Sequence, residues 1–429
     1  MKTTEFVSSL LGERYTRTEL ACGLPIYVFP KELTSAHVLF AVKYGSMDSD
    51  FVLSDRNETV HTPDGIAHFL EHKLFENEDG SDSFARFAEL GAEANAYTDY
   101  DKTAYLFSCT ERFDEALEEL LRFVTHPYFT AATVRKERGI IAEEIRMYRD
   151  NPWDRAARMM LESMYAACPI RNDICGTEAS IGEITPELLY DCHRAFYNPQ
   201  NMVLAVCGNV TAEEVAAIAE RALPKDFLPR GIERVTSPEP HGVVSDYAET
   251  RMQVAKPIFN IGVKDHTEGM SASQRLRRDA CMALLGEILF SQSGAFYNEL
   301  FESGLISPSF SAEYFCNPRY AYHCFGGESD TPEEVLAALK SLLSRVKREG
   351  LDPEDFERCR RVLYADEIRA YDSTEEIASR MLSFVMEDFD MFEMPALFQS
   401  ITREEVEDVL RDAFADDCFT LSVVRPQGG

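Results

Sequence analysis

Residues 68 to 72 read His-Phe-Leu-Glu-His, just after the turn-forming stretch Pro63-Asp64-Gly65-Ile66-Ala67. On a helix, His68 and His72 lie four positions apart and project from one face, with about 5–6 Å between their Cβ atoms. Two imidazoles so placed can hold one zinc ion. The carboxylate of Glu71 can then act on a metal-held water instead of on the metal, a mirror image of the HExxH arrangement. Hydrolytic zinc needs a third protein ligand and a position left open for water. The later stretch ERGIIAEEIRMY offers acidic candidates. Glu137 and Glu144, seven apart, share a helix face, whereas Glu143 points about 100° away from Glu144. We assign Glu144 to the metal and Glu137 to an imidazole whose orientation and tautomer it fixes. Zinc would polarise a scissile carbonyl and acidify the water. Glu71 is the candidate general base that takes its proton and later delivers it to the leaving amine.

The five-residue pattern alone is weak, because a His or Glu on an amphipathic helix is usually solvated or capping. An internal repeat supplies a control. HFLEHKLF, SFARFAELG, AYLF and IAEEIRMY in the first half are answered in order by MALLGEILF, AFYNELFESG, AYHCF and YADEIRAY in the second. His68, Glu71 and His72 then face Ala283, Gly286 and Glu287, and Glu137 faces Arg360. The second half keeps the apolar pattern without the polar set, so helix packing does not require those residues.

Strand signals such as LPIYVF, HVLFAVKYG and NMVLAVCGNV alternate in pairs with long amphipathic helices. This implies an α+β fold of two homologous domains, each a mostly antiparallel sheet with helices packed on one face. The expected boundaries are 1–223 for the metal-binding domain, 224–247 for a proline-rich linker, and 248–429 for the homologous domain without the motif.

The chain has 429 residues and a net charge of −31. Clustered Lys and Arg are what phosphate backbones and anionic membranes need, so neither nucleic acid nor membrane is expected as a partner. A cationic peptide suits the field. Eleven cysteines without CxxC pairs, and a first segment lacking a secretory apolar region, point to a reducing, cytoplasmic setting.

HFLEH followed by the ERGIIAEEI helix, together with PDGIAHFLEH, GAEANAYTDYDKTAYLF, YNPQNMVLAVCGNV and ELFESGL, resembles the pitrilysin and insulinase family of inverted-motif zinc peptidases. The resemblance implies His68, His72 and Glu144 as Zn2+ ligands, Glu71 as catalytic base and Glu137 as a supporting carboxylate. It implies that Asn95, Ala96, Tyr97 and Thr98 lie on an edge strand that pairs with the substrate backbone. It also implies half of a clamshell chamber, as in the short family members that act as dimers. Where the family presents an Arg and then a Tyr in its second half, this chain has Phe301 and Ser307. The expected partner is therefore a related subunit carrying those donors, with a homodimer as the alternative. The leading reading is a zinc endopeptidase acting on peptides or short unfolded polypeptides in an enclosed chamber. Alternatives are a noncatalytic assembly subunit and a peptide-binding module with a structural metal.

Overall fold

The computed structural model describes residues 2–53 and 59–428. They divide into two compact units that do not follow the halves of the sequence. The first holds residues 1–145, 172–236 and 369–392; the second holds 146–171, 237–368 and 393–429. The α+β architecture expected from the strand and helix patterns is present.

In the first unit the strands are β1 (Lys2–Ser8), β2 (Glu13–Glu19), β3 (Pro25–Pro30), β4 (Ala36–Val42), β5 (Asp50–Leu53), β6 (Thr59–His61), β7 (Glu93–Thr98), β8 (Thr103–Cys109), β9 (Met202–Gly208) and β10 (Ile232–Arg234). Seven of them form one sheet in the order β1-β2-β3-β9-β4-β8-β7. The β3–β9 pair is parallel and its other neighbours run antiparallel. β7 ends the sheet, pairing with β8 from Glu93↔Ser108 to Thr98↔Thr103. One face carries the main core. There Leu117, Leu120, Leu121 and Val124 of the helix Phe113–Thr125 meet Phe40, Phe107 and Val206 of the strands and Val215 of the helix Ala212–Ala222.

The other face is apolar too. Every residue of AHVLFAV in β4 is buried, a pattern that arises only when both faces of a strand are covered. The cover is the helix Thr374–Met386, whose start is capped by the Ser373 side chain. Its Ile377, Ala378, Met381 and Leu382 pack on Tyr27, Phe29, Leu39, Ala41 and Val203.

The second unit repeats the plan with β11 (Tyr247–Met252), β12 (Ile258–Asp265), β13 (Ser311–Asn317), β14 (Tyr320–Glu328) and β15 (Phe419–Pro426), in the order β11-β15-β12-β14-β13. Here the covering helix is Pro152–Met164, which starts with Pro152 behind an Asn151 cap. Gly262 in β12 admits it, since a Cβ there would stand 2.7 Å from Met160 Cγ and Met164 Sδ. The Ser422 hydroxyl donates to the Ala156 carbonyl at 2.7 Å. Each sheet is thus covered by the helix that follows the long helix Ala131–Asp150 or Pro353–Arg369 of the other sequence half. The proline-rich segment is also pinned. Glu239 accepts from the Ala166, Ala167 and Cys168 amides and from the Lys264 ammonium.

Candidate metal centre

The motif helix runs from Ile66 to Leu74 and begins at Gly65, which has φ 90°. A side chain there would stand 2.4 Å from the Cys175 carbonyl oxygen. Gly176, at φ 74°, comes equally near the Asp64 carbonyl from the other side. Asn172 donates to the Asp64 carboxylate at 3.1 Å and the Ser180 hydroxyl to the Asp64 carbonyl at 2.8 Å. The turn is therefore clamped, and it aims the helix. Ile66, Phe69, Leu70 and Leu74 enter the core, which leaves His68 and His72 on one flank with ring centroids 4.5 Å apart.

The helix Ala131–Asp150 brings its carboxylates to that flank. His68 Nε2 lies 3.7 Å from Glu144 Oε1, and His72 Nε2 lies 3.6 Å from Glu144 Oε2. One donor atom from each of the three residues lies within 4.8 Å of the others. Donor atoms around one tetrahedral zinc, at bond lengths of about 2.0–2.1 Å, stand roughly 3.3 Å apart. The observed separations are near that value and beyond the reach of a good direct hydrogen bond, about 3.2 Å. On the opposite edge of His72, Nδ1 donates to Glu137 Oε1 at 3.1 Å, which leaves the Nε2 lone pair turned toward Glu144. Burial and the neighbouring His72 hold His68 down to about 3, so it is neutral and able to ligate. The donor set fits zinc.

Glu71 is buried beside the pair. Burial raises its carboxyl above the ordinary carboxylate range, and Glu144 pushes the same way. A hydrogen bond from Thr98 and the proximity of His72 offset this only in part. The Thr98 hydroxyl donates to Glu71 Oε2 at 2.6 Å. Thr98 is the last residue of β7, so one side chain joins the edge strand to the candidate base. Asn95, Ala96 and Tyr97 precede it on the same strand, with Asn95 and Tyr97 exposed and Ala96 partly buried against the core. The Ala96 amide donates to the Asn95 side chain at 2.9 Å.

Sequence reasoning thus named the residues that gather here, His68, Glu71, His72, Glu137 and Glu144. It placed Thr98 on the strand but missed its bond to Glu71 and the clamp of Asp64, Asn172 and Ser180. No spacing rule signals either, because both join segments far apart in the chain. In the second unit, Arg360, the counterpart of Glu137, bonds to Glu357 and to the carbonyls of Phe398 and Gln399. Phe301 is exposed and stacks on Tyr297, and the Ser307 hydroxyl bonds to Ser309.

The family model described as Insulinase (Peptidase family M16) matches residues 55–178, and that described as Peptidase M16 inactive domain matches residues 183–363. The uncharacterized zinc protease YmfH of Bacillus subtilis (strain 168) is 37% identical over 420 residues, covering 97% of this chain and 98% of its own. The crystal structure of an M16-like peptidase from Alicyclobacillus acidocaldarius superimposes with a TM-score of 0.93 at 34% identity, over 98% of this chain and 100% of that one. The periplasmic protease PqqL from Escherichia coli shares the fold at a TM-score of 0.72 and 18% identity. That match covers 96% of this chain but 47% of PqqL. With a zinc-fitting donor set at its centre and these relatives around it, the chain belongs to peptidase family M16, the insulinase family, and is a zinc metallopeptidase.

Proposed function

We propose that this chain is an endopeptidase that cleaves peptides or short unfolded polypeptides within an enclosed chamber. In this reading His68, His72 and Glu144 hold the zinc, and Glu137 fixes His72. Zinc, when bound, supplies Lewis-acid polarisation of the scissile carbonyl and acidifies water. Glu71 Oε2 receives a proton from the attacking water and passes it to the leaving amine. Extended substrate adds to the free edge of β7 along Asn95 to Thr98, by backbone pairing that tolerates many sequences.

The observation that carries this reading is the Thr98–Glu71 hydrogen bond. It couples the strand that would seat a peptide to the group that would move the proton. The net charge of −31 supports cationic substrates. Phe301 and Ser307 offer neither a cation nor a phenol, which supports a related partner subunit that brings an Arg and a Tyr. All eleven cysteines are free thiols, which supports a reducing, cytoplasmic setting. Among the described residues, no helix is long and apolar enough to cross a membrane.

A quenched fluorescent peptide tests the reading. Cleavage should require zinc, stop with chelator and disappear in Glu71→Gln. A chain that binds zinc but cleaves nothing, alone or with its native partner, would instead favour a noncatalytic assembly role.

A further inference from the structure

We infer that His241, His266 and Cys418 form a second zinc site of thiolate and imidazole character, independent of the peptidase centre. All three residues belong to the second unit, and three segments contribute them. His241 comes from the proline-rich segment, His266 follows β12, and Cys418 leads into β15.

The distances suit a single ion. Cys418 Sγ lies 3.8 Å from His241 Nδ1 and 3.8 Å from His266 Nε2. Sulfur and nitrogen ligands of one tetrahedral zinc, at about 2.3 and 2.0–2.1 Å, stand roughly 3.5 Å apart. Asp417 stands beside the set, one carboxylate oxygen 3.6 Å from His241 Nδ1 and the other 3.8 Å from Cys418 Sγ, so the mutually close donors are those of His241, His266 and Cys418. The imidazoles stack face to face, centroids 3.9 Å apart and planes at 18°, so one ring must turn about its Cβ–Cγ bond for both lone pairs to meet one ion. His266 Nδ1 faces Glu268 at 3.6 Å, so a carboxylate stands behind that ring as it does behind His72.

Bonds that do not involve the donor atoms hold the backbone in this arrangement. The Val243 amide donates to the Asp417 carbonyl at 3.1 Å, and the buried Lys264 ammonium donates to the Pro240 and Gly242 carbonyls. One sulfur and two nitrogens favour zinc over magnesium or calcium, which seek oxygen alone. Three protein donors leave a fourth position for water or for an Asp417 oxygen turned toward the ion. On binding, the Cys418 thiol releases its proton to solvent and the thiolate joins the ion. The ion would fasten the proline-rich segment to the ends of β12 and β15.

Cobalt(II) titration of the full-length chain in reducing buffer tests the site. The peptidase centre contains no sulfur, so a thiolate-to-cobalt charge-transfer band in the near ultraviolet reports a cysteine site alone. The band should appear in the parent chain and in His72→Ala, and vanish in both Cys418→Ala and His241→Ala. Zinc content should fall by one equivalent in each of the last two. His241 is 62% exposed, so its replacement leaves the fold intact even if that of buried Cys418 does not. Absence of the band in the parent, or its survival in either of those two variants, overturns the proposal.

Discussion

Replacing Glu137 by Gln removes one charge from beside His72 while keeping the size of the side chain. His72 Nδ1 donates to Glu137 Oε1 at 3.1 Å, and the carboxylate is buried. A hydrogen bond to a charged group contributes about 1.5–3 kcal/mol and a neutral one about 0.5–1.5. The substitution should therefore weaken the orientation of His72 by roughly 1–1.5 kcal/mol. At about 1.4 kcal/mol per tenfold, that is roughly a 5- to 12-fold loss of zinc affinity. This lies at the mild end of the 10- to 100-fold typical for groups that steady a ligating imidazole. Zinc competition against a chromophoric chelator measures it, in a Cys418→Ala background so that the sulfur-containing cluster contributes no signal. An affinity within about twofold of the parent would refute the orienting role. A loss far beyond a hundredfold would mean that the site had collapsed rather than lost a charge.

Glu71→Gln should lower peptide turnover by about 10²- to 10⁴-fold, the range of general-base catalysis, with bound zinc unchanged by elemental analysis. Met381→Ala, in the fully buried ridge of the helix Thr374–Met386, should cost about 2–5 kcal/mol in urea unfolding; a loss below 1 kcal/mol would mean that the helix does not seal that sheet face. His193 is buried and bonds through Nε2 to the Val124 carbonyl at 2.9 Å. Burial holds it down to about 4, which the carbonyl opposes only in part. A group depressed in this way is neutral in the fold, so its contribution is complete above the unfolded value of about 6.5 and drains away as pH falls toward 4. The parent should lose about 3 kcal/mol more than His193→Gln between those limits, and equal losses would exclude the assignment.

The candidate metal donors were legible because the spacing within each of their two helices is local. A step of four places His68 and His72 together, a step of seven places Glu137 and Glu144 together, and the second half shows the same helices without the polar set. The repeat also set out the order of the elements. What stayed hidden is tertiary. An amphipathic helix such as Pro152–Met164 reads the same whichever sheet it covers, so its placement on β12 and β15 has no sequence signal. The expectation of helices on one face only missed the second cover, although the continuous apolar run in β4 is what two covered faces demand. The bond from Thr98 to Glu71 depends on how β7 lies beside the motif helix, and the cluster around Cys418 joins residues with no fixed spacing.

The chain passes between the compact units at 145/146, 171/172, 236/237, 368/369 and 392/393. A gene cut at the proline-rich segment would therefore not yield two self-sufficient products. The front fragment would leave Tyr27, Phe29 and Leu39 wet for want of residues 374–386, and the rear fragment would lack residues 152–164 over Ile258 and Val424. Expressed apart, each piece should aggregate; expressed together, they should rescue one another, because each carries the lid that the other needs.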